Sequence, residues 1–218
     1  MPTVATGLAR ASCMKLQPAR RLAPALGGHL LQLRSRPAVS CAGTLSVRRT
    51  VGCWSHIVPM VRPCRDDEQS ALLHIVNAAA QRYRGVIPED CWHEPYMRAD
   101  ELAREVAAGV KFWGTELDAA LVGVMGMQQV LEVALIRHAY VTPEVQGRGL
   151  GGLLLRELCA QQPRPVLVGT WAAATWAIRF YERHGFCLAA NDEKAGLLRK
   201  YWSVPERQIE ASVVLRKL

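Results

Sequence analysis

Four glycines within six residues mark the segment of this chain that is best suited to bind an anion. Residues 135–157, LIRHAYVTPEVQGRGLGGLLLRE, pass from a β-rich run through a glycine-rich loop into a leucine-rich helical stretch. Gly147, Gly149, Gly151 and Gly152 lack a Cβ atom, so the loop can turn tightly and point several backbone N–H groups at one place where a helix begins. Glycine can also simply punctuate a strand-to-helix connection, but four glycines in six residues favour an anion site.

Two known patterns fit this loop and imply different ligands. Gly147, Gly149 and Gly152 form the G-x-G-x-x-G of a dinucleotide-binding turn. That fold needs an acidic residue at the end of the next strand and a long βαβ series after it. The next predicted strand, 166–170, is followed by Trp171, and fewer than fifty residues remain. The context therefore excludes a nicotinamide-dependent oxidoreductase.

The second pattern is Q-x-x-G-x-G, formed by Gln146, Gly149 and Gly151 directly after an apolar strand. It resembles the coenzyme A pyrophosphate loop of the GNAT acetyltransferase superfamily. A second segment, AIRFYERHGF at 177–186, is similar to another hallmark of that superfamily, a short helix with Phe-Tyr that ends at Gly-Phe. The resemblance covers about residues 57–218. One departure is Ala174, where many members have Asn.

The resemblance implies an α/β fold with a central mixed, mostly antiparallel sheet of six or seven strands and helices on both faces. It also implies transfer of an acetyl group from acetyl-CoA to a primary amine, directly within a ternary complex and without a metal. The pantetheine arm is expected to pair with the backbone of Tyr140 and Val141. Contacts to the pyrophosphate are expected from the loop residues Gln146, Gly147, Arg148, Gly149, Leu150 and Gly151. A solvated loop arginine is an equal interpretation of Arg148.

Acyl transfer needs an unprotonated amine and a proton for the departing thiolate. By resemblance Tyr181 is the general acid, and its phenol stays protonated at neutral pH. The alternative is a core tyrosine. Glu132 matches the place where some members have a carboxylate acting through water, although a solvated turn glutamate is the alternative. His138 is by default a hydrogen-bonded strand histidine.

An irregular stretch, 86–97, corresponds to the loop that forms one wall of the acceptor site in the superfamily. It contains Trp92, His93, Glu94 and Tyr96, which are the predicted acceptor-binding residues. The two aromatic side chains would form the apolar side of a pocket. An equal alternative is that they only anchor the loop to the core.

Charge divides the chain into two parts. Residues 1–65 carry ten basic and no acidic residues, whereas the remainder carries 17 basic and 19 acidic residues, so the net charge of +8 arises in the first part. We predict a basic leader without packed structure over residues 1–55, either an organelle transit peptide or a stretch upstream of the true start, and an acetyltransferase domain over 56–218. The expected location is cytoplasmic, or mitochondrial if the leader is a transit peptide.

The remaining composition excludes several classes of protein. Seven cysteines without C-x-x-C spacing indicate neither a disulfide framework nor a zinc site. The expected partner is a small-molecule or peptide amine, with neither nucleic acid nor membrane; oligomeric state stays open, with a homodimer as one option. A catalytically silent module that binds acyl-CoA is the alternative function, and Tyr181 argues against it.

Local patterns predict most of the elements. Helices are expected from Asp66 or Asp67 to about Tyr83 and from a cap at Asp100 to Ala108. Three antiparallel strands should follow, at 110–115, 119–127 and 133–141. Beyond the glycine loop we expect a helix at 149–161, a strand at 166–170, and a helix that Thr175 could cap. A polar helix around 191–200 and a strand at 211–215 complete the prediction.

Overall fold

The structure is a computed structural model that describes residues 59–218. The predicted leader, residues 1–55, lies outside the described residues.

Seven strands of the described chain form one sheet. They are β1 (Met60–Pro63), β2 (Lys111–Leu117), β3 (Ala120–Val130), β4 (Val133–Val141), β5 (Val166–Trp171), β6 (Phe186–Leu188) and β7 (Ser212–Lys217). Their order across the sheet is β1-β2-β3-β4-β5-β7-β6. Strands β4 and β5 run parallel, and the other neighbouring strands are antiparallel. The predicted mixed, mostly antiparallel sheet is therefore confirmed.

Helices cover both faces of this sheet. They are α1 (Gln69–Ala80), α2 (Ala99–Ala107), α3 (Leu150–Ala160), α4 (Thr175–Arg183), α5 (Asn191–Tyr201) and α6 (Glu206–Glu210). Helices α3 and α4 share a core with Met125 and Ile136. Helices α1 and α2 pack on Val124, and α5 and α6 pack on Leu135. Because successive strand residues point to opposite faces, these neighbouring pairs place α3 and α4 on one face and the other helices on the opposite one.

Two local predictions differ from the structure, and one helix was not predicted. Asp100 is not the cap of α2, because Arg98 occupies that position and Asp100 lies in the first turn. Thr175 is the first residue of α4, with Ala174 as its cap. The short helix α6 was not predicted, since five residues are too few to show a helical period.

An irregularity in β4 shapes the centre of the sheet. Val124 of β3 pairs with Tyr140 and Gly126 pairs with Arg137, so His138 and its neighbour together stand opposite a single β3 residue. His138 takes a φ of 52°, in the left-handed region. Such a bulge bends a strand and increases its twist. The pairing of β4 with β5 ends at Ile136, and the second half of β4 has no β5 partner.

Candidate active site

A cavity of about 560 Å³ lies where β4 and β5 stop pairing. Its walls come from the second half of β4, from β5, from the loop and first turns of α3, from α4, and from the end of α1 and the turn that follows it. A gap between parallel strands next to a helix N-terminus is a common position for a ligand site in α/β folds. The cavity thus joins the glycine loop to the buried side chains of α4.

The glycine loop forms the start of α3, as predicted. Gly147 and Gly149 have φ values of 81° and 83°, which L-amino acids with a side chain rarely adopt. Gly149 is the cap of α3, so the free N–H groups of the first turn point out at this end of the cavity. Gly152 is required for a different reason, because a Cβ atom there would lie 2.5 Å from Nε2 of His184.

Nearly all predicted coenzyme contacts line the cavity. These are Tyr140, Val141, Gln146, Gly147, Gly149, Leu150 and Gly151. The side chain of Gln146 has a supporting part, since its Nε2 donates to the carbonyl oxygen of Val141 at 2.8 Å. This bond ties the loop to the end of β4. Arg148 is exposed and is not part of the cavity wall.

Three arginines line the cavity and were not predicted; one of them, Arg82, follows α1. The other two are Arg156 on α3 and Arg183 at the end of α4, next to His184. Nothing in the local sequence distinguishes them from surface arginines, because only the packing of α3 against α4 brings them to one wall. They place positive charge at the end of the cavity near the glycine loop.

Tyr181 is buried in α4, with 5% of its surface exposed, and it lines the cavity. Its ring packs edge to face against Phe180 and Phe186, at centroid distances of 5.1 and 5.6 Å. Burial raises the pKa of the phenol above its ordinary value, because a phenolate would lose its hydration there. Tyr181 therefore stays protonated at neutral pH and has a proton to donate.

An aromatic wall forms another part of the cavity lining. Tyr83 contacts Tyr140 edge to face at 6.4 Å and Trp176 at 5.7 Å, and all three line the cavity. The guanidinium of Arg82 lies 4.4 Å from the Trp176 ring centroid. Such a surface suits the apolar part of a ligand.

Of the four residues predicted to bind the acceptor, the two aromatic ones support this wall from behind. The ring of Tyr96 stacks on Tyr83 at 5.9 Å, and Trp92 packs on Tyr96 at 5.5 Å. Trp171 Nε1 donates to the Tyr96 hydroxyl at 3.2 Å. Neither Trp92 nor Tyr96 lines the cavity itself. Their packing is the one that the anchoring alternative describes, and the prediction that they bind an acceptor stays a prediction.

The two polar residues of the same loop are exposed and lie outside the cavity wall. His93 stacks on Tyr96 at 5.9 Å, and its Nδ1 lies 2.8 Å from the carbonyl oxygen of Pro95. Glu94 accepts a hydrogen bond from Gln81 at 3.3 Å. Any contact from His93 or Glu94 to an acceptor would have to be made by a part of that acceptor outside the cavity.

Glu132 does not lie near the cavity. It stands in the β3–β4 turn, at the end of β4 that is distant from the glycine loop, and its carboxylate ion-pairs with Lys200 and accepts from the Tyr201 hydroxyl. These contacts lower its pKa to about 2, with Lys200 making the larger contribution. So acidic a carboxyl group is a poor proton acceptor at neutral pH. The structure gives no support to Glu132 as a catalytic carboxylate.

The charge of the cavity wall has one sign. Among the described residues that line it there are three arginines and no aspartate or glutamate. No group of three or more His, Cys, Asp or Glu side chains that could hold a metal ion occurs in residues 59–218. In the same range no helix is both long and apolar enough to cross a bilayer.

The comparisons with known proteins agree with this geometry. Residues 108–187 match the family described as the acetyltransferase (GNAT) domain. One similar solved structure is the PaiA N-acetyltransferase of Thermoplasma acidophilum in complex with coenzyme A, with a TM-score of 0.57 and 16% identity over 74% of this chain and 99% of that chain. A search of curated protein sequences gave no match.

Two further structures extend the comparison. The ribosomal-protein-S18-alanine N-acetyltransferase of Escherichia coli has a TM-score of 0.52 and 16% identity over 73% of this chain and 93% of that chain. The N-acetylglutamate synthase of Neisseria gonorrhoeae, complexed with coenzyme A and N-acetyl-glutamate, has a TM-score of 0.51 and 17% identity over 73% of this chain and 35% of that chain. At these identities the likeness is one of fold.

Proposed function

We propose that this chain, whose residues 108–187 match the acetyltransferase (GNAT) domain, transfers an acetyl group from acetyl-CoA to a primary amine. The observation that carries the proposal is one cavity at the gap between β4 and β5 that is lined by the glycine loop, by Tyr181 and by the aromatic wall.

The coenzyme is proposed to lie along the cavity from the glycine loop to the gap. The N–H groups at the start of α3 and the positive end of its dipole suit the pyrophosphate. Arg156 and Arg183 add positive charge beside it. The second half of β4 has no partner on the β5 side, so backbone groups of Tyr140 and Val141 that face this side are available to the pantetheine amides, although the Val141 carbonyl oxygen already accepts from Gln146.

Tyr181 is proposed to protonate the departing thiolate. It lies in the cavity wall, and its raised pKa keeps the phenol protonated, so a proton is available to the sulfur as the C–S bond breaks. Transfer is direct, in a ternary complex. In keeping with this, no cysteine is among the described residues that line the cavity, so a covalent acyl-enzyme has no obvious nucleophile.

One observation favours the alternative of a silent acyl-CoA-binding module. The described cavity wall holds no carboxylate that could deprotonate an amine. A silent module would bind acetyl-CoA as tightly as an enzyme but would release no thiol. Turnover therefore separates the two functions, and binding alone does not.

The test uses the full chain, acetyl-CoA, and a panel of four amines. The panel contains 2-phenylethylamine, L-phenylalanine, spermidine, and a peptide with a free N-terminal alanine and one lysine. Calorimetry measures the binding of acetyl-CoA, and a thiol reagent measures its consumption. We expect binding in the absence of amine and thiol release that depends on at least one amine. Binding with no amine-dependent release would support the silent module.

A further inference from the structure

We propose that His138 is the general base that deprotonates the amine, and that Glu105 is the residue that positions it. This inference rests on the proposed function, because it assigns a group to one step of that reaction. His138 takes the role of the base that the resemblance implied for Glu132, which lies outside the cavity.

Few of the groups that line the cavity can accept a proton at neutral pH. An alkyl ammonium ion must lose a proton before its nitrogen can attack a thioester. The arginines in the wall stay protonated at any physiological pH. Burial raises the pKa of Tyr83 to about 12 and raises that of Tyr140 and Tyr181 as well, so these phenols are not bases at neutral pH. The described wall contains no carboxylate, which leaves the imidazoles of His138 and His184.

The two histidines lie in different parts of the cavity wall. His184 stands beside the start of α3, where its Nε2 limits the space at Gly152, and its Nδ1 lies 2.7 Å from the carbonyl oxygen of Phe180. It therefore belongs to the end of the cavity assigned to the pyrophosphate. His138 lies two residues after Ile136, the last β4 residue that pairs with β5. That is where the strands begin to open and where a thioester would meet an acceptor.

A network of contacts holds the His138 ring. Its Nε2 lies 3.4 Å from Oε2 of Glu105, a distance suited to an ion pair once the ring is protonated, although it is long for a full hydrogen bond. Arg137 donates to the other Glu105 oxygen at 2.7 Å and to Oε1 of Gln128 at 2.7 Å. The ring also stacks on Phe112 at 5.9 Å. With Nε2 directed at Glu105, Nδ1 is the nitrogen left for a substrate.

Glu105 is suited to stabilise a charged imidazole. Burial opposes its ionisation, but the contacts with His138 and Arg137 outweigh burial, so the pKa of Glu105 is lowered. It is thus a carboxylate at neutral pH. A carboxylate behind one ring nitrogen fixes the orientation of the ring and favours proton uptake at the other nitrogen.

The backbone conformation of His138 also supports its role as the base. A histidine with a positive φ is uncommon, and its backbone is strained. Strain of this kind, and bulges that redirect a side chain, concentrate at functional sites. A regular β4 could pair with β3 throughout without this strain. The bulge turns the strand so that the imidazole meets both Glu105 and the cavity.

The proposed step conserves protons and bonds. Nδ1 of His138 takes one proton from the ammonium ion, and the neutral amine attacks the thioester carbonyl. The new C–N bond forms, the C–S bond breaks, and the Tyr181 hydroxyl gives its proton to the sulfur. The second proton of the attacking nitrogen returns to the Tyr181 oxygen, and His138 releases its proton to solvent. The products are an amide, free coenzyme A and one proton.

The test compares His138→Asn with the wild-type full chain, using the amine of the panel above that the wild type acetylates fastest. Asparagine tolerates a positive φ but is not a base, so the variant keeps the bulge and loses the proton acceptor. We expect kcat to fall by about 10²-fold or more with an unchanged Kd for acetyl-CoA. We also expect kcat/KM of the wild type to fall at low pH, and we expect this fall to be absent in the variant.

Glu105→Gln tests the positioning role through the pH profile of kcat/KM. This profile would not change if Glu105 served only to stabilise the fold. Charged groups that contact the ring network are Glu105 on α2 and Arg137 on β4 itself, whereas β2 and β3 contribute the uncharged Phe112 and Gln128. Without the carboxylate the imidazolium loses its partner, so the acidic limb of kcat/KM should move to lower pH. Asp100→Asn, which removes an exposed carboxylate from the same helix, should leave the limb in place.

The outcomes separate this inference from the proposed function. A wild type that turns over, together with a His138→Asn variant whose kcat and pH profile are unchanged, would overturn the role of His138 alone. An unmoved acidic limb in Glu105→Gln would overturn the positioning role. A wild type that binds acetyl-CoA but acetylates no amine would overturn the proposed function and the base with it.

Discussion

At the scale of single residues, the account depends most on the Tyr181 hydroxyl. Tyr181→Phe removes the hydroxyl and keeps the ring that packs against Phe180 and Phe186. If the hydroxyl protonates the thiolate, kcat should fall by about 10²-fold or more while the Kd for acetyl-CoA changes little. Steady-state kinetics and calorimetry on one preparation measure both. A structural hydroxyl would instead lower the melting temperature and leave kcat intact.

Gly149 is the residue at which backbone conformation and binding coincide. Its φ of 83° disfavours any side chain, and a β-branched one most of all. We expect Gly149→Val to abolish measurable binding of acetyl-CoA. Gly196→Ala is the matched control, because Gly196 lies in α5, has no strained φ and has open space around its Cβ position. A folded Gly149→Val protein with wild-type affinity would show that the pyrophosphate does not lie at this loop.

The sequence could predict that Tyr181 and the glycine loop lie at the cavity, but it could not point to His138, the base proposed above. Tyr181 and Gln146 to Gly151 belong to short linear patterns whose geometry is local. Glu132 is predicted as the catalytic carboxylate from its place before β4, but the nine residues of β4 separate it from the glycine loop. His138 can be recognised only from a bulge that depends on pairing with β3 and from a carboxylate on another helix. Neither leaves a trace in the sequence around it.

At the scale of elements, the entry into α1 contains the most perturbed acid in the described core. Glu68 is 9% exposed, ion-pairs with Arg62 at 2.6 Å, and accepts from the backbone N–H of Arg65 at 2.7 Å. Arg62 makes the largest contribution to lowering its pKa, from 4.5 to about 2. Because Arg62 also contacts Glu116 of β2, this cluster connects β1, β2 and the start of α1.

The lowered pKa of Glu68 predicts how stability depends on pH. A carboxyl group whose pKa is lower in the folded than in the unfolded state stabilises the fold above the unfolded pKa. That contribution, on the order of 2–3 kcal/mol, should be present above about pH 4.5 and should be lost as the pH falls towards 2. Denaturant unfolding of wild type and Glu68→Gln should show a difference that shrinks over this range.

The exposed Glu157 of α3 supplies the control for this prediction. The free energy of unfolding of Glu157→Gln should differ little from that of the wild type at any pH, because a solvated carboxylate contributes little to folding. A gap between wild type and Glu68→Gln that stays constant from pH 7 to pH 2 would contradict the linkage.

The elements themselves were largely predictable, and the misses have local causes. The hairpin, the glycine loop and the helix after it have strong signals in alternation and in glycine. The cap at Asp100 was misplaced because three polar residues, Arg98, Asp100 and Glu101, surround the start of α2, and only the backbone decides between them. The seven-strand order depends on β7 inserting between β5 and β6, which requires contacts between distant parts of the chain.

At the scale of the whole molecule, charge restricts the acceptor. The net charge of +8 arises in residues 1–65, but the cavity is also basic, since the charged side chains in its described wall are arginines and no carboxylate balances them. An acceptor with several positive charges would be repelled there. The aromatic wall favours an amine with an apolar body.

This charge pattern predicts an order within the amine panel. The kcat/KM for 2-phenylethylamine and for L-phenylalanine should exceed that for spermidine, and lowering the salt concentration should widen the gap because screening decreases. Initial rates at two ionic strengths measure it. Spermidine as the best substrate, with a preference that grows at low salt, would mean that the acceptor binds outside the basic cavity.

In the proposed mechanism, one cavity brings the thioester and the amine together for direct transfer. Mass spectrometry tests it most directly: the full chain is mixed with acetyl-CoA, the intact protein is weighed, and the amine is then added. We predict an unmodified protein before the addition, followed by acetylated amine and free coenzyme A in equal amounts. A protein that carries the acetyl group before the amine arrives, or thiol release without acetylated amine, would contradict the account.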